Sequence, residues 1–260
     1  MDGLVTAAAA VGGLVAGDQL EVVVERVGAR VGFERPWHRC PKCERPAAVA
    51  DSLPLVRVLA RRHCPHCGGA TPFATRPLLM GLVSALVLGA MATRFGTDVA
   101  LAPFCVLGLA LVAISAVDIE RYMIPNRIVY PTLVALIPLL VLSSALDHRW
   151  GSLARAAIAG AVAFAGFFAV HLAVPKGMGF GDVRLSGVIG VATGWLGLGH
   201  AFVAFFAAFV LGAVIGIGVM AVTHGGRKTR IPFGPFMAAG AVVAVLWGNP
   251  LAHALFHRGA

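Results

Sequence analysis

Charge is what this sequence has least of. Aspartate, glutamate, lysine and arginine make up only 13% of its 260 residues, while 58% are hydrophobic. A soluble domain carries about twice that charge, so a soluble globular protein is excluded. No internal repeat is visible, which gives no support to an inverted-repeat transporter. No basic residue precedes the first apolar run, so that run does not read as a cleaved signal peptide. A glycine-rich cofactor loop of the soluble methyltransferase type is also missing.

What is present is a series of long apolar runs. Ile128–Leu146, Leu153–Val174 and Leu198–Val222 are each long enough to cross a bilayer as a helix. The pattern predicts an all-α polytopic membrane protein with about eight transmembrane helices, near residues 3–20, 77–93, 98–117, 128–146, 153–174, 184–196, 198–222 and 235–251. Of the 21 lysines and arginines, all but Arg94, Arg149, Arg155 and Arg258 fall in alternate connections. The positive-inside rule then places those connections in the cytoplasm and both termini outside. The formal net charge of +9 needs no nucleic-acid partner. Basic loops beside anionic membrane lipid account for it.

Four of the five cysteines form CPKC (Cys40, Cys43) and CPHC (Cys64, Cys67), inside the connection that follows the first span. Paired C-x-x-C knuckles at this separation suit one tetrahedral zinc ion held by four thiolates, a closed structural site. Residues 26–76 are too few for much hydrophobic core, so a metal would stabilise a small zinc-ribbon-like loop there. Two disulfides are the alternative. The charge count puts this loop in the reducing cytoplasm, which favours zinc. Three segments are expected: 1–25, the first helix and its extension; 26–76, the zinc-binding loop; and 77–260, the remaining membrane domain.

Two acids stand out near the ends of apolar runs. Asp118 follows the third span, and Asp182 lies in KGMGFGDVRL just before the sixth. The topology puts both at the cytoplasmic surface. Two carboxyl groups brought together there can share one proton, one serving as base while the other protonates a leaving group, which is aspartic-protease chemistry. Gly177, Gly179 and Gly181 leave little bulk beside Asp182, so an extended peptide could approach it. Acids at helix ends also commonly reach water or pair with a basic neighbour. That reading is preferred for Asp98, Glu120 and Asp147, and Cys105 reads as packing.

These segments resemble a known family. GMGFGDVRL is similar to the G-x-G-D signature of the type IV prepilin peptidases, and VDIERYMIPN to their first catalytic aspartate segment. RIPFGPFMAAG resembles their proline–glycine motif opening the last helix, and W-x-x-C-P-x-C followed by CPHC their cytoplasmic zinc-bearing loop. The motifs cover nearly the whole chain in the right order. The resemblance implies an inner-membrane aspartic endopeptidase of bacteria, with Asp118 and Asp182 as its catalytic pair. Such an enzyme removes the basic leader of type IV prepilins or pseudopilins on the cytoplasmic side of their hydrophobic helix. Bifunctional members also methylate the new N-terminus with S-adenosylmethionine. Leu20–Val27 reads LEVVVERV where the family commonly reads F-L-N-V-V-I-x-R, so Glu21 replaces an asparagine. That change bears on methyl transfer more than on cleavage, because the segment borders the loop associated with it.

Two other readings fit parts of the pattern. Another G-x-G-D intramembrane protease would use the acids similarly but would lack a zinc loop after the first helix. A proton-coupled transporter with a zinc-ribbon loop would place its acids at mid-membrane.

Overall fold

The computed structural model describes residues 2–28, 75–175, 177–223 and 232–256. Among them all regular structure is helical: α1 (Asp2–Gly28), α2 (Thr75–Phe95), α3 (Leu101–Arg121), α4 (Asn126–Leu146), α5 (Trp150–Ala173), α6 (Phe180–Leu196), α7 (Leu198–Thr223) and α8 (Gly234–Phe256). Seven are long and apolar enough to cross a bilayer; α6, with 17 residues, is the short one. The chain is therefore an integral membrane protein. Helices are what its apolar runs require, since a segment in hydrocarbon must close its backbone hydrogen bonds within itself. Side-chain hydroxyls follow the same rule. Ser115, Thr132 and Thr193 each donate to the carbonyl four residues back, at 2.7 Å.

Several helices run further than the apolar pattern indicates: α6 starts earlier, at Phe180, α8 ends later, at Phe256, and α1 and α3 extend through charged turns. α1 continues through Glu21, Glu25 and Arg26 to Gly28. Glutamate and arginine are good helix formers and do not stop it, and the interleaved Val22, Val24 and Val27 are buried. α3 continues to Arg121, so Asp118 lies within the helix and not beyond it.

The chain divides into two compact units, Met1–Gly96 and Thr97–Ala260. In the first, α1 and α2 pack antiparallel through small residues. A Cβ on Gly13 would fall 2.6 Å from the Ser84 carbonyl oxygen, and one on Gly17 would fall 2.5 Å from Gly81 Cα. Gly13-x-x-x-Gly17 thus brings two backbones into direct contact, the usual basis of close helix pairing in lipid.

In the second unit α3 and α6 lie inside, while α5 and α7 carry most of their surface outward. Phe104, Leu107, Leu111, Ile114, Leu136, Leu140, Leu185, Ile189, Trp195 and Met237 form its core. At one end, Trp195 Nε1 donates to Ser144 Oγ at 2.8 Å. There Arg149 pairs with Asp98 at 3.7 Å and with Asp147 at 3.5 Å. These two acids are thus ion-paired helix-end residues, as expected. Both acids of the candidate site lie at the other end, where α3 finishes and α6 begins.

Candidate active site

Asp118 sits in the last turn of α3 and is buried, 5% exposed. After Arg121 the chain turns sharply. Tyr122 adopts a left-handed conformation (φ 53°) and its N–H donates to the Asp118 carbonyl at 2.8 Å, closing the helix. Ile124 precedes Pro125, which is extended and opens α4. This turn delivers Ile124 to the start of α6, against Gly181. A Cβ on Gly181 would fall 2.7 Å from Ile124 Cβ, so only glycine permits the approach.

Asp182 is the third residue of α6, half-buried. Its Oδ2 accepts the N–H of Gly179, the N-cap residue, at 3.1 Å. A carboxylate in the first turn also suits the positive end of the helix dipole. A Cβ on Gly179 would lie 3.2 Å from that same oxygen, tight enough to disturb it. Gly177 is exposed at the head of the loop. His171, in the last turn of α5, uses Nδ1 to bond the Met178 carbonyl oxygen at 2.8 Å and so ties the loop to α5.

Asp118 receives a helix terminus as well. The N–H of Gly234, first residue of α8, donates to Asp118 Oδ2 at 2.8 Å. A Cβ on Gly234 would stand 2.7 Å from that oxygen, so no side chain fits. Two helix N-termini, those of α6 and α8, are thus presented to two carboxyl groups. Burial, and after it the charge of Asp118, push the Asp182 carboxyl up to about 6. Asp182 lies in the first turn of α6, ahead of the expected apolar span, and the charge of Asp118 reaches it there.

The structure brings the two acids singled out by sequence to one end of the fold, but sequence reasoning missed what holds them. Gly234 was legible only as part of RIPFGPFMAAG. Its signal was a glycine followed by Pro235 at the start of a helix, a common N-terminal arrangement. Arg184 was also missed as a structural partner. Its guanidinium donates to the Asn126 side-chain oxygen and lies over the Phe180 ring, 4.3 Å from the centroid. Cys40, Cys43, Cys64 and Cys67 lie outside the described residues. Among the described residues no group of three or more His, Cys, Asp and Glu could hold a metal ion.

Two family models match the chain. Residues 105–217 match the type IV leader peptidase family, and residues 11–95 match the bacterial peptidase A24 N-terminal domain. Among curated proteins, the prepilin leader peptidase/N-methyltransferase of Bacillus subtilis (strain 168) is 30% identical, over 92% of this chain and 93% of the relative. That of Stutzerimonas stutzeri is also 30% identical, over 89% and 79%. That of Burkholderia pseudomallei (strain 1026b) is 34% identical, over 85% and 71%. No solved structure matches. Asp118, Asp182 and Gly177, Gly179 and Gly181 fall within the matched residues 105–217, and the resemblance read from the motifs holds: the chain belongs to the type IV leader peptidase family.

Proposed function

We propose that this chain is a membrane aspartic endopeptidase that removes the basic leader from type IV prepilins or pseudopilins, with Asp118 and Asp182 as its catalytic pair. The observation that carries the reading is the convergence of the two carboxyl groups, one from the end of α3 and one from the start of α6. Each is held by a backbone N–H, Gly234 for one and Gly179 for the other. In the singly protonated pair the charge rests on Asp118, beside the α8 terminus, and the proton on Asp182. Asp118 takes a proton from water as the water oxygen bonds to the scissile carbonyl carbon. Asp182 gives its proton to the carbonyl oxygen. The tetrahedral intermediate then collapses: the leaving nitrogen takes the proton from Asp118, one hydroxyl returns its proton to Asp182, the C–N bond breaks, and a new carboxyl and a new amino terminus result.

The glycine loop serves access. Gly177 and Gly179 are exposed beside Asp182, and without side chains they leave room for an extended peptide. The charge asymmetry of the connections supports a cytoplasmic-facing site in the bacterial inner membrane, where a basic leader would be retained.

Zinc bound by Cys40, Cys43, Cys64 and Cys67 is part of the same proposal and rests on their spacing. Methyl transfer from S-adenosylmethionine to the new N-terminus is proposed on the relatives' double name and on the N-terminal domain match. The 26–76 loop would be its seat, and residues 77–260 the peptidase. Incubating the purified protein with a pilin-like precursor tests the central reading. Release of the leader at a single peptide bond is expected, and an intact precursor with well-folded enzyme would overturn it.

A further inference from the structure

An apolar cleft of about 470 Å³ opens on the outside of α6, between α4 and α5. Along α6 it is lined by Phe180, Arg184, Gly187 and Val191, a stripe of one helix face. Tyr130 of α4 and Phe164 of α5 form its sides. All three aromatic rings are substantially exposed. The cleft is not the acid site. Asp182 is two residues from both Phe180 and Arg184, about 200° round the helix, and so faces the other way.

Three features say what fits. First, from Phe180 to Val191 the helix rises about 16 Å. That is roughly half of a hydrocarbon core about 30 Å thick, or the depth of one leaflet. A transmembrane peptide helix would need a groove about twice as long. Second, the cleft has a cation at its mouth and is apolar beneath. Among the described residues no carboxylate pairs with Arg184, whose hydrogen bond goes to the neutral amide of Asn126. Third, the floor is open by composition. A Cβ on Gly187 would meet only the Phe164 side chain, at 3.6 Å, an ordinary contact. The fold therefore does not require glycine there, and its bareness deepens the cleft.

We infer that this cleft binds one anionic phospholipid, its acyl chain along Gly187 and Val191 and its phosphate at the Arg184 guanidinium. The bound lipid fills the gap between α4 and α5 and braces the first turn of α6, which carries Asp182 on its opposite face. The inference rests on the membrane-spanning architecture and on Arg184, not on the peptidase reading.

The test is native mass spectrometry of detergent-purified protein titrated with phosphatidylglycerol or with phosphatidylcholine. Wild-type protein should hold one phosphatidylglycerol more tightly than phosphatidylcholine. Gly187→Leu, which fills the cleft, should lose that bound lipid. Arg184→Gln should weaken phosphatidylglycerol about fivefold, the factor one basic side chain contributes near an anionic surface, and leave phosphatidylcholine unchanged. Arg184→Gln keeps the cleft's shape, so the test survives if Gly187→Leu does not accumulate. Equal binding of the two lipids by wild-type protein would overturn the inference, as would undiminished phosphatidylglycerol binding by both variants. If Gly187→Leu kept its lipid but raised KM for a membrane-embedded precursor, the cleft would belong to the substrate helix instead. Lipid counting needs no catalysis, so its failure is separable from failure of the peptidase reading.

Discussion

Gly234 reaches across 116 positions of sequence to donate its backbone N–H to the Asp118 carboxylate at 2.8 Å. The contact puts the N-terminal end of α8 against an acid at the C-terminal end of α3, so the partial positive charge of one helix faces the anion carried by another. It also fixes where the carboxylate points. A methyl group on Gly234 would stand 2.7 Å from Asp118 Oδ2.

Gly234→Ala should therefore displace the carboxylate by a fraction of an ångström to an ångström without emptying any packed site. A misplacement of that size at a reacting group costs about 10²-fold in rate. We expect Gly234→Ala to reach the membrane at normal levels and to lose about 10²-fold in kcat for leader removal. Wild-type kcat in that variant would show that the α8 terminus does not position the acid.

The pair should leave a signature in the pH profile. With both carboxyls protonated there is no base, and with both ionised there is no proton for the carbonyl oxygen. Only the singly protonated pair works. Burial and the Asp118 charge raise Asp182 to about 6, so raising the pH through that value removes the shared proton. kcat/KM, which reports the free enzyme, should fall on the alkaline side of about 6. A bound peptide excludes water and stabilises the protonated acid, so the matching limb of kcat should lie at higher pH. A kcat/KM that stayed flat from roughly pH 5 to 8 would contradict this account.

Much of the fold was legible because membrane helices write themselves as apolar runs, and most of their starts and ends lie close to those expected. The extensions of α1 and α3 have a common cause. Hydropathy marks where lipid contact ends, not where the helix ends, so the charged turns Glu21–Gly28 and Asp118–Arg121 were cut off. The two acids were legible from type and position: carboxylates beside apolar runs on the same side of the membrane are costly. Their supports were not. Gly234 acts through its backbone N–H, Gly181 by admitting Ile124 and not only by leaving room beside Asp182, and Asn126 through an arginine 58 residues away. None of these roles depends on a periodicity or a charge pattern, and each exists only once separate helices have packed.

The cysteine knuckles make a prediction of their own. One zinc ion per chain is expected in purified protein, measured by elemental analysis, and Cys64→Ser should lose it. The thiolates must be deprotonated to bind, so acidification should also release the metal. Protein free of zinc, with two disulfides by mass spectrometry, would remove both the metal and the cytoplasmic placement of residues 26–76.

Methyl transfer and cleavage should separate. The acids lie in α3 and α6, whereas Glu21, which stands where the family commonly has asparagine, lies in α1. Zinc loss by Cys64→Ser should lower methylation of the processed N-terminus while leaving leader removal within about threefold, since no zinc-dependent step enters the hydrolysis. Mass spectrometry of the processed pilin reads both outcomes from one sample. Parallel loss of the two activities would mean that the zinc loop also supports hydrolysis.

The sharpest test remains the pair itself. Asp118→Asn and Asp182→Asn each replace an oxygen by a nitrogen with little change of shape. In both, the remaining amide oxygen can still accept the backbone N–H that holds it, from Gly234 in one case and Gly179 in the other. The helix termini stay capped and no cavity opens, so a loss of activity cannot be assigned to unfolding. What disappears is the exchangeable proton or the base. Either substitution should abolish leader removal, and because the two acids act as one unit the double variant should be no worse than either single one. Glu120, two residues beyond Asp118, has its side chain exposed at the end of α3. Glu120→Gln should change the rate by less than about threefold, as surface substitutions rarely cost more than about 0.5 kcal/mol. The measurement is processing of a pilin precursor by each variant, normalised to enzyme present in the membrane. Asp182→Asn that accumulated normally and processed at the wild-type rate would exclude the aspartic mechanism, and the convergence of α3 and α6 would then have no part in catalysis.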